Sequence, residues 1–150
     1  MTVHSRRKLM KTIDIDRVKA AIVAAEKATS GEVRVSVARF FWGNVRRAAE
    51  SAFVRLGMTR TKDRNAILFF VVPARKTFVV LGDEGIHAKV GQDFWESLAG
   101  LIAGHFREGE FTEGLVGAIE EAGLRLAAHF PYDPTVDVNE LADDVDFGEN

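Results

Sequence analysis

Oxygen-bearing side chains stand at three points of this sequence, each beside a run of apolar residues. They are Glu32, Asp63, Asn65, Asp83 and Glu84. Carboxylate and amide oxygens are the ligands that Ca²⁺ and Mg²⁺ prefer, and waters can complete the coordination. Their spacing matches no EF-hand, Walker or zincin motif, so a site forms only if the fold brings these residues together. On that condition the sequence predicts a calcium or magnesium site.

Arg64 lies in the middle of this group and offers a second interpretation of the same residues. Its guanidinium could neutralise Glu32 or Asp83 in a surface ion-pair network, and such networks contribute little to stability. It could equally favour an anion such as phosphate. From the residues alone, this structural interpretation is favoured over a metal site.

The histidines are weaker candidates for chemistry. His105 lies on an apolar helix face, and His129 lies at a helix end, where a cation is favourable. His87 follows Asp83 closely in the sequence. It is the one histidine that we expect near the site.

A hairpin in the middle of the chain must position these residues. Residues 66–72 are almost wholly apolar, which is typical of a strand covered on both faces. Residues 77–81 form a second β-branched run, and the polar break at 73–76 predicts a tight connection. Upstream, residues 32–38 alternate apolar and polar side chains, which predicts a half-buried strand.

Helices are predicted where apolar residues recur at intervals of three and four. They span residues 14–29, 44–56, 94–106 and 113–130, with a short helical turn at 86–90. The strand–helix–strand unit implies a right-handed crossover and two parallel strands, while the hairpin makes the third strand antiparallel. The predicted fold class is α/β, a three-layer α/β/α sandwich with helices on both faces of a small mixed sheet.

This topology brings the oxygen-bearing residues to one end of the sheet. The first two strands begin there and the third ends there, so Glu32, the loop 63–65 and residues 83–84 should gather. We call it the acidic end of the sheet. The prediction depends on topology alone, because no local motif connects the three segments.

The opposite end of the strands, which we call the aromatic end, should carry Arg39, Phe40–Trp42 and Arg75–Lys76. Aromatic side chains beside cations could contact a protein partner. Alternatively, the aromatic side chains pack under the helices and leave the cations in water. We do not expect nucleic acid to bind at either end of the sheet.

Charge is unevenly distributed, although the net charge of the 150 residues is only −2. Residues 1–12 carry four bases and no acid, and residues 132–150 carry seven acids and no base. We expect a flexible basic head, a folded domain over residues 13–131, and an acidic tail that docks on bases or stays free. Those bases are Arg46, Arg47 and Arg55.

The composition excludes several classes of site. Without cysteine there are no disulfides, no thiol catalysis and no thiolate metal ligands. No apolar run reaches membrane-spanning length, and the first residues lack the apolar stretch of a signal peptide. We therefore expect a cytoplasmic protein.

Four segments taken together are similar to one known family. They read AIVAAEKATSGEVRVSV, RNAILFFVV, VVLGDEGIHAKVG and FREGEFTEGLVGAIEEAGLRLAAHFP. They resemble the TPM domain, named after a thylakoid lumen protein, a photosystem II repair protein and a modulator of levamisole receptors. The resemblance covers about residues 13–131, and the acidic VNEL-type tail resembles that of the short bacterial members.

The resemblance implies an α/β/α sandwich and two activities. Some members bind calcium on loops at a sheet edge, and plant lumenal members have weak acid phosphatase activity. Many members read Asp-Asn-Gly before the central strand, where this chain reads Arg64-Asn65-Ala66. The position of an acidic ligand in those members therefore carries a cation here.

From the residues and the resemblance together, we expect a stand-alone TPM domain that acts as a binding or accessory module. Calcium or magnesium would bind at the acidic end, through the oxygen ligands named above, with Arg64 and His87 at the margin of the site. One alternative is a weak, metal-assisted acid phosphatase. Another is a module that binds a protein partner, which could be membrane-associated, through the aromatic end.

Overall fold

A computed structural model describes residues 13–134 and 144–148. The predicted basic head, residues 1–12, lies outside the described residues. The elements are α1 (Ile15–Glu26), β1 (Glu32–Val37), α2 (Val45–Arg55), β2 (Ala66–Val72), β3 (Thr77–Gly82), α3 (Glu84–His87), α4 (Gln92–Arg107) and α5 (Phe111–His129). Short 3₁₀ turns at Met58–Arg60 and Pro73–Arg75 precede and follow β2.

The three strands form one mixed sheet with β2 in the centre. β1 is parallel to β2, with Glu32 opposite Ala66, and β3 is antiparallel to β2, with Ile67 opposite Gly82. All seven residues of β2 are buried, because neighbouring strands and helices surround this strand on every side. The predicted hairpin and the predicted parallel crossover are both confirmed.

The two faces of β2 pack against different helices, because successive side chains of a strand point to opposite faces. Its odd-numbered residues, from Ile67 to Val71, enter a core built with α1, α4 and α5. Its even-numbered residues, from Ala66 to Val72, enter a smaller core built with α2. Helices thus cover both faces of the sheet, and the predicted α/β class is confirmed.

Three observed helices begin two residues before their predicted starts, and one of them is α4, which begins at Gln92 rather than 94. The short helix α3 begins at Glu84 rather than 86, because the Asp83 carboxylate caps it by accepting a hydrogen bond from the Glu84 amide at 2.8 Å. Helix α5 begins at Phe111 rather than 113, and the Phe111 ring packs edge-on against Phe106 at 4.8 Å. Within residues 13–134 and 144–148, no helix combines the length and apolar character needed to cross a bilayer.

The last described segment, residues 144–148, returns to the outer edge of β1. The Val37 amide donates to the Asp146 carbonyl at 2.7 Å, and the Asp146 amide donates to the Val35 carbonyl at 2.9 Å. Val145 is buried in the core that α1, α4 and α5 share. This part of the acidic tail is therefore docked, and Arg55 is the one of the three suggested bases that holds it.

Candidate functional site

The acidic end of the sheet contains the three chain segments that the topology should gather. Glu32 begins β1 opposite Ala66, and the Asp83 amide donates to the Ala66 carbonyl at 2.9 Å. Glu32 and Asp83 therefore flank the start of β2 from either side. Asn65 directly precedes that point, so the backbone of all three segments converges there.

Arg64 and Asp83 form the dominant contact at this end. The Arg64 Nε donates to Asp83 Oδ2 at 2.6 Å, and Nη2 donates to Oδ1 at 2.9 Å. Two parallel bonds of this kind fix the guanidinium in the plane of the carboxylate. The hydrogen bond to Asp83 holds the pKa of the Arg64 guanidinium above its ordinary value. Nη1 also lies 3.3 Å from Glu84 Oε1, on the exposed side.

The backbone around this ion pair is closely constrained. Arg64 has a φ of +52°, a left-handed conformation that residues other than glycine seldom adopt. The Gly85 amide donates to the Arg64 carbonyl at 2.8 Å. A side chain at Gly85 would collide with the carbonyl oxygens of Asp63 and Arg64. Glycine is therefore required where the two loops touch, and the GDEGI segment contained that signal although its role was not predicted.

Asn65 is buried beside the ion pair and is only partly satisfied. It is 1% exposed, its backbone N–H donates to Thr61 Oγ1 at 3.2 Å, and its side-chain Nδ2 donates to Ser30 Oγ at 3.4 Å. Its Oδ1 accepts no hydrogen bond from the residues that the structure describes. Glu32 is likewise buried, at 2% exposure. The two hydroxyl residues were not predicted, because nothing local connects them to Asn65.

The remaining predicted residues, Asp63 and His87, are both exposed. The Asp63 side chain is exposed, and only its backbone approaches Gly85. His87 is exposed, and its ring lies 4.7 Å from the Trp95 ring of α4, tilted by 37°. The described part of the chain contains no group of three His, Asp or Glu residues placed to hold a metal ion.

The oxygen ligands at the acidic end are of the type that a hard cation prefers. The central one, the Asp83 carboxylate, is bound to Arg64. Asp83 and Glu84 offer carboxylate oxygens, and Asn65 offers an amide oxygen that no described group uses. The Arg64 side chain is 40% exposed, whereas the Asp83 side chain is only 7% exposed. The guanidinium can therefore leave towards water while the carboxylate stays in place.

The aromatic end is organised around Arg75. Its Nη1 donates to the carbonyl oxygens of Phe41 at 3.2 Å and Gly43 at 2.9 Å, and its guanidinium lies over the Phe41 ring. Trp42 is 78% exposed and makes an edge contact with Phe40 at 4.7 Å. The alternative in which Trp42 packs under the helices is wrong, because this loop turns its ring outward.

Comparisons with known proteins agree with this architecture. The chain matches the model of the TPM domain over residues 3–124. It is similar to the NMR structure of the BA42 protein from the psychrophilic bacterium Bizionia argentinensis, with 37% identity and a TM-score of 0.84, over 93% of this chain and 94% of that one. No curated protein matches this sequence.

Two more distant structures share the fold alone. The N-terminal domain of the cg2496 protein from Corynebacterium glutamicum is 13% identical, with a TM-score of 0.60 over 75% of this chain and 71% of that one. The N-terminal domain of a protein from P. gingivalis is 14% identical, with a TM-score of 0.62 over 87% of this chain and 96% of that one.

Proposed function

Because the chain belongs to the TPM domain family, we propose that it acts as a binding or accessory module that takes up a divalent cation at the acidic end. Asp83 and Glu84 would supply carboxylate oxygens, and Asn65 would supply its Oδ1. Glu32, buried at the start of β1, would add negative charge nearby. Calcium and magnesium are the candidate ions.

The pairing of Arg64 with Asp83 is the observation that carries this proposal. A carboxylate that is 7% exposed needs a positive partner, and here a guanidinium supplies it. A divalent ion could replace that guanidinium, because the Arg64 side chain is partly exposed and can rotate into water. Arg64 would then act as a built-in competitor, and the cation would bind weakly unless the competitor were removed.

A titration of wild type and Arg64→Gln with calcium, followed by magnesium, tests the proposal. Amide NMR shifts at Glu32, Asn65 and Asp83 should saturate together. We expect Arg64→Gln to bind about tenfold more tightly, which corresponds to about 1.4 kcal/mol for the lost competition. The matched control Asp83→Asn should remove saturable binding in both backgrounds.

Thermal unfolding gives a second readout. Arg64→Gln leaves a buried carboxylate without its cation, so its Tm should fall in chelator and recover in calcium, since a ligand that binds only the folded state stabilises it. If the amide signals of Arg64→Gln do not shift and its Tm does not recover in millimolar calcium, the acidic end is not a cation site. Weak, unsaturated shifts confined to Asp144 and Asp146 would have the same meaning.

The enzymatic alternative, a weak metal-assisted phosphatase, would use the same end of the sheet. Arg64 would have to exchange its two carboxylate partners for a phosphoryl group, while an ion polarised a phosphoryl oxygen. Turnover of p-nitrophenyl phosphate in calcium or magnesium, absent in both Asp83→Asn and Glu32→Gln, would support it. Turnover equal to that of these two variants would exclude it.

A second candidate function is a protein contact through the aromatic end, which the exposure of Trp42 favours. A large aromatic ring that is 78% exposed on a loop anchored by Arg75 is typical of an interface residue. Acrylamide should quench Trp42 more than Trp95 in the free protein. A photo-crosslinker at position 42 should capture one defined partner, and Arg75→Ala, which frees the loop, should reduce that capture.

A further inference from the structure

Strand β3 forms an open edge of the sheet. It pairs with β2 on one side, and no strand among the described residues pairs with its other side. The Asp83 amide bonds to the Ala66 carbonyl, so in this register every second residue of β3 bonds to β2. Phe78, Val80 and Gly82 therefore direct their N–H and C=O groups away from the sheet.

This edge lacks the features with which proteins usually protect an open strand. Thr77–Gly82 contains no charged residue and no proline, and all six residues are partly exposed. Charges, prolines and bulges normally prevent such a strand from pairing with another chain. Their absence over six residues indicates a strand that is available for pairing.

A groove of about 610 Å³ runs along the outer side of β3. Its size lies within the usual range for ligand sites. One wall is Arg46 of α2, and the other is built around α4. The wall residues are Arg46, His87, Gln92, Trp95, Glu96 and Ala99. The Trp95 indole lies directly on Gly82, where any side chain would overlap it. A six-residue strand is about 20 Å long, so the groove can follow an extended peptide.

The opposite edge of the same sheet already holds a segment of this chain. Asp146 forms one parallel bridge with Ser36 of β1, and the preceding Val145 lies in the core of α1, α4 and α5. Asp146 points the other way, to Arg55 of α2, with Nη2 and Oδ2 2.8 Å apart. An apolar residue followed by an acid thus fits between the two helical layers, with Asp146 towards α2, while Asp144 pairs with Lys19 of α1 at 2.9 Å.

The β3 groove likewise carries a cation on the α2 side. Arg46, on the α2 side, is exposed and makes no ion pair within the described residues. Trp95 forms the apolar wall on the α4 side, where Glu96 would repel an acid. The groove therefore favours acidic side chains on one face of an added strand and apolar side chains on the other.

We propose that the free edge of β3 binds an extended segment of a protein partner by strand addition, with alternating apolar and acidic residues. Main-chain bonds to Phe78, Val80 and Gly82 hold the segment in register. Its apolar side chains contact Trp95, and an acidic side chain pairs with Arg46. This site is separate from the acidic end and does not depend on a bound cation.

Two synthetic peptides test the proposal on the full chain. The acetylated and amidated peptide TVDVDVT carries the predicted alternation, and TVKVKVT reverses its charge. The acidic peptide should bind and should slow amide exchange at Phe78, Val80 and Gly82. Exchange at Val79 and Leu81 should stay unchanged, because β2 already bonds those amides.

Arg46→Glu and Arg47→Glu are matched variants, since both residues are exposed and adjacent on α2. Acidic residues are favourable in the first turn of a helix, so both variants should fold. Arg46→Glu should weaken the acidic peptide at least tenfold and should strengthen the basic one. Arg47→Glu, outside the groove, should change both affinities less than threefold.

Several results would overturn the proposal. One is no binding of the acidic peptide at millimolar concentration. Another is equal binding of both peptides, or equal losses in the two variants. Changes confined to Val37 and residues 144–148 would place the peptide on β1 instead. Protection of β3 that rises with protein concentration alone would assign the edge to a second copy of the chain.

Discussion

Arg55 and Asp146, which are 91 residues apart in the sequence, are joined by two hydrogen bonds between guanidinium and carboxylate. Nη1 lies 3.1 Å from Oδ1, and Nη2 lies 2.8 Å from Oδ2. Ser36 donates a third bond to the same carboxylate at 2.7 Å. These contacts attach the described end of the acidic tail to β1, so one edge of the sheet is covered, whereas no strand in the described part of the chain pairs with the outer side of β3.

Arg55→Gln should loosen residues 144–148. It leaves the Asp146 carboxylate, whose side chain is 11% exposed, without its cation, and this should lower the free energy of unfolding by about 1–3 kcal/mol. Urea unfolding measures the loss, and faster exchange of the Val37 amide locates it. Arg34→Gln removes only an exposed bond to the Asp144 carbonyl and should cost less. Equal effects of the two variants would contradict this account.

Acid should release the same segment. Burial alone would raise the pKa of the Asp146 carboxyl, but hydrogen bonds from Arg55 and Ser36 outweigh it, and the pKa is lowered. A carboxyl whose pKa is lowered in the folded state stabilises the protein at pH values above its pKa in the unfolded chain, which is about 3.9. That stability is lost as the pH falls through the lowered value.

A pH titration followed by amide NMR checks this expectation. Below a pH of about 4, the Val37 and Gly148 signals should change before those of the buried strand β2. Asp146→Asn should lose this early step. A single transition shared by all amides, identical in the variant, would show that Asp146 does not control the segment.

Gly85→Ala and Gly104→Ala should have opposite effects. A methyl group at Gly85 would collide with two backbone carbonyl oxygens, so we expect a loss of about 2 kcal/mol or more and displacement of the Arg64 loop. Gly104 lies within α4 with no atom near its missing side chain, so alanine should stabilise the protein by about 0.5–1 kcal/mol. Chemical denaturation distinguishes the two, and similar effects would refute the predicted loop contact.

Phe69→Ala should be the more damaging of two large-to-small changes. Phe69 is 1% exposed in the central strand, and the cavity left by its ring should cost about 3–5 kcal/mol. Leu124 is 71% exposed on α5, so Leu124→Ala should change stability by less than about 0.5 kcal/mol. A large loss for Leu124→Ala would mean that a partner surface or a second copy covers that residue.

The fold was predictable because its signals are local and mutually consistent. The uninterrupted apolar run of β2 can be buried only between two layers, and handedness then sets the direction of β1. Helix starts were less predictable, because the tertiary contact of Phe111 with Phe106 and the Asp83 cap decide them. The convergence at the acidic end followed from the topology once the strands were assigned.

The details of the site were not predictable to the same extent. Whether Arg64 pairs with Glu32 or Asp83 depends on side-chain geometry, and the two bonds to Asp83 decide it. The burial of Asn65 against Ser30 joins residues 35 positions apart, which no local pattern records. Trp42 is equally compatible with a buried or an exposed position until the loop held by Arg75 is in place.

By itself, the sequence determined the strand and helix pattern, the family and the segments that meet at the acidic end. Only the tertiary structure decided that Arg64 is bound to Asp83, that residues 144–148 cover β1, and that no described strand pairs with the outer side of β3. Periodic burial is encoded residue by residue, so a pattern of apolar side chains reports it directly. Ion pairs and strand edges depend on the relative positions of distant segments, and those positions exist only after the chain has packed.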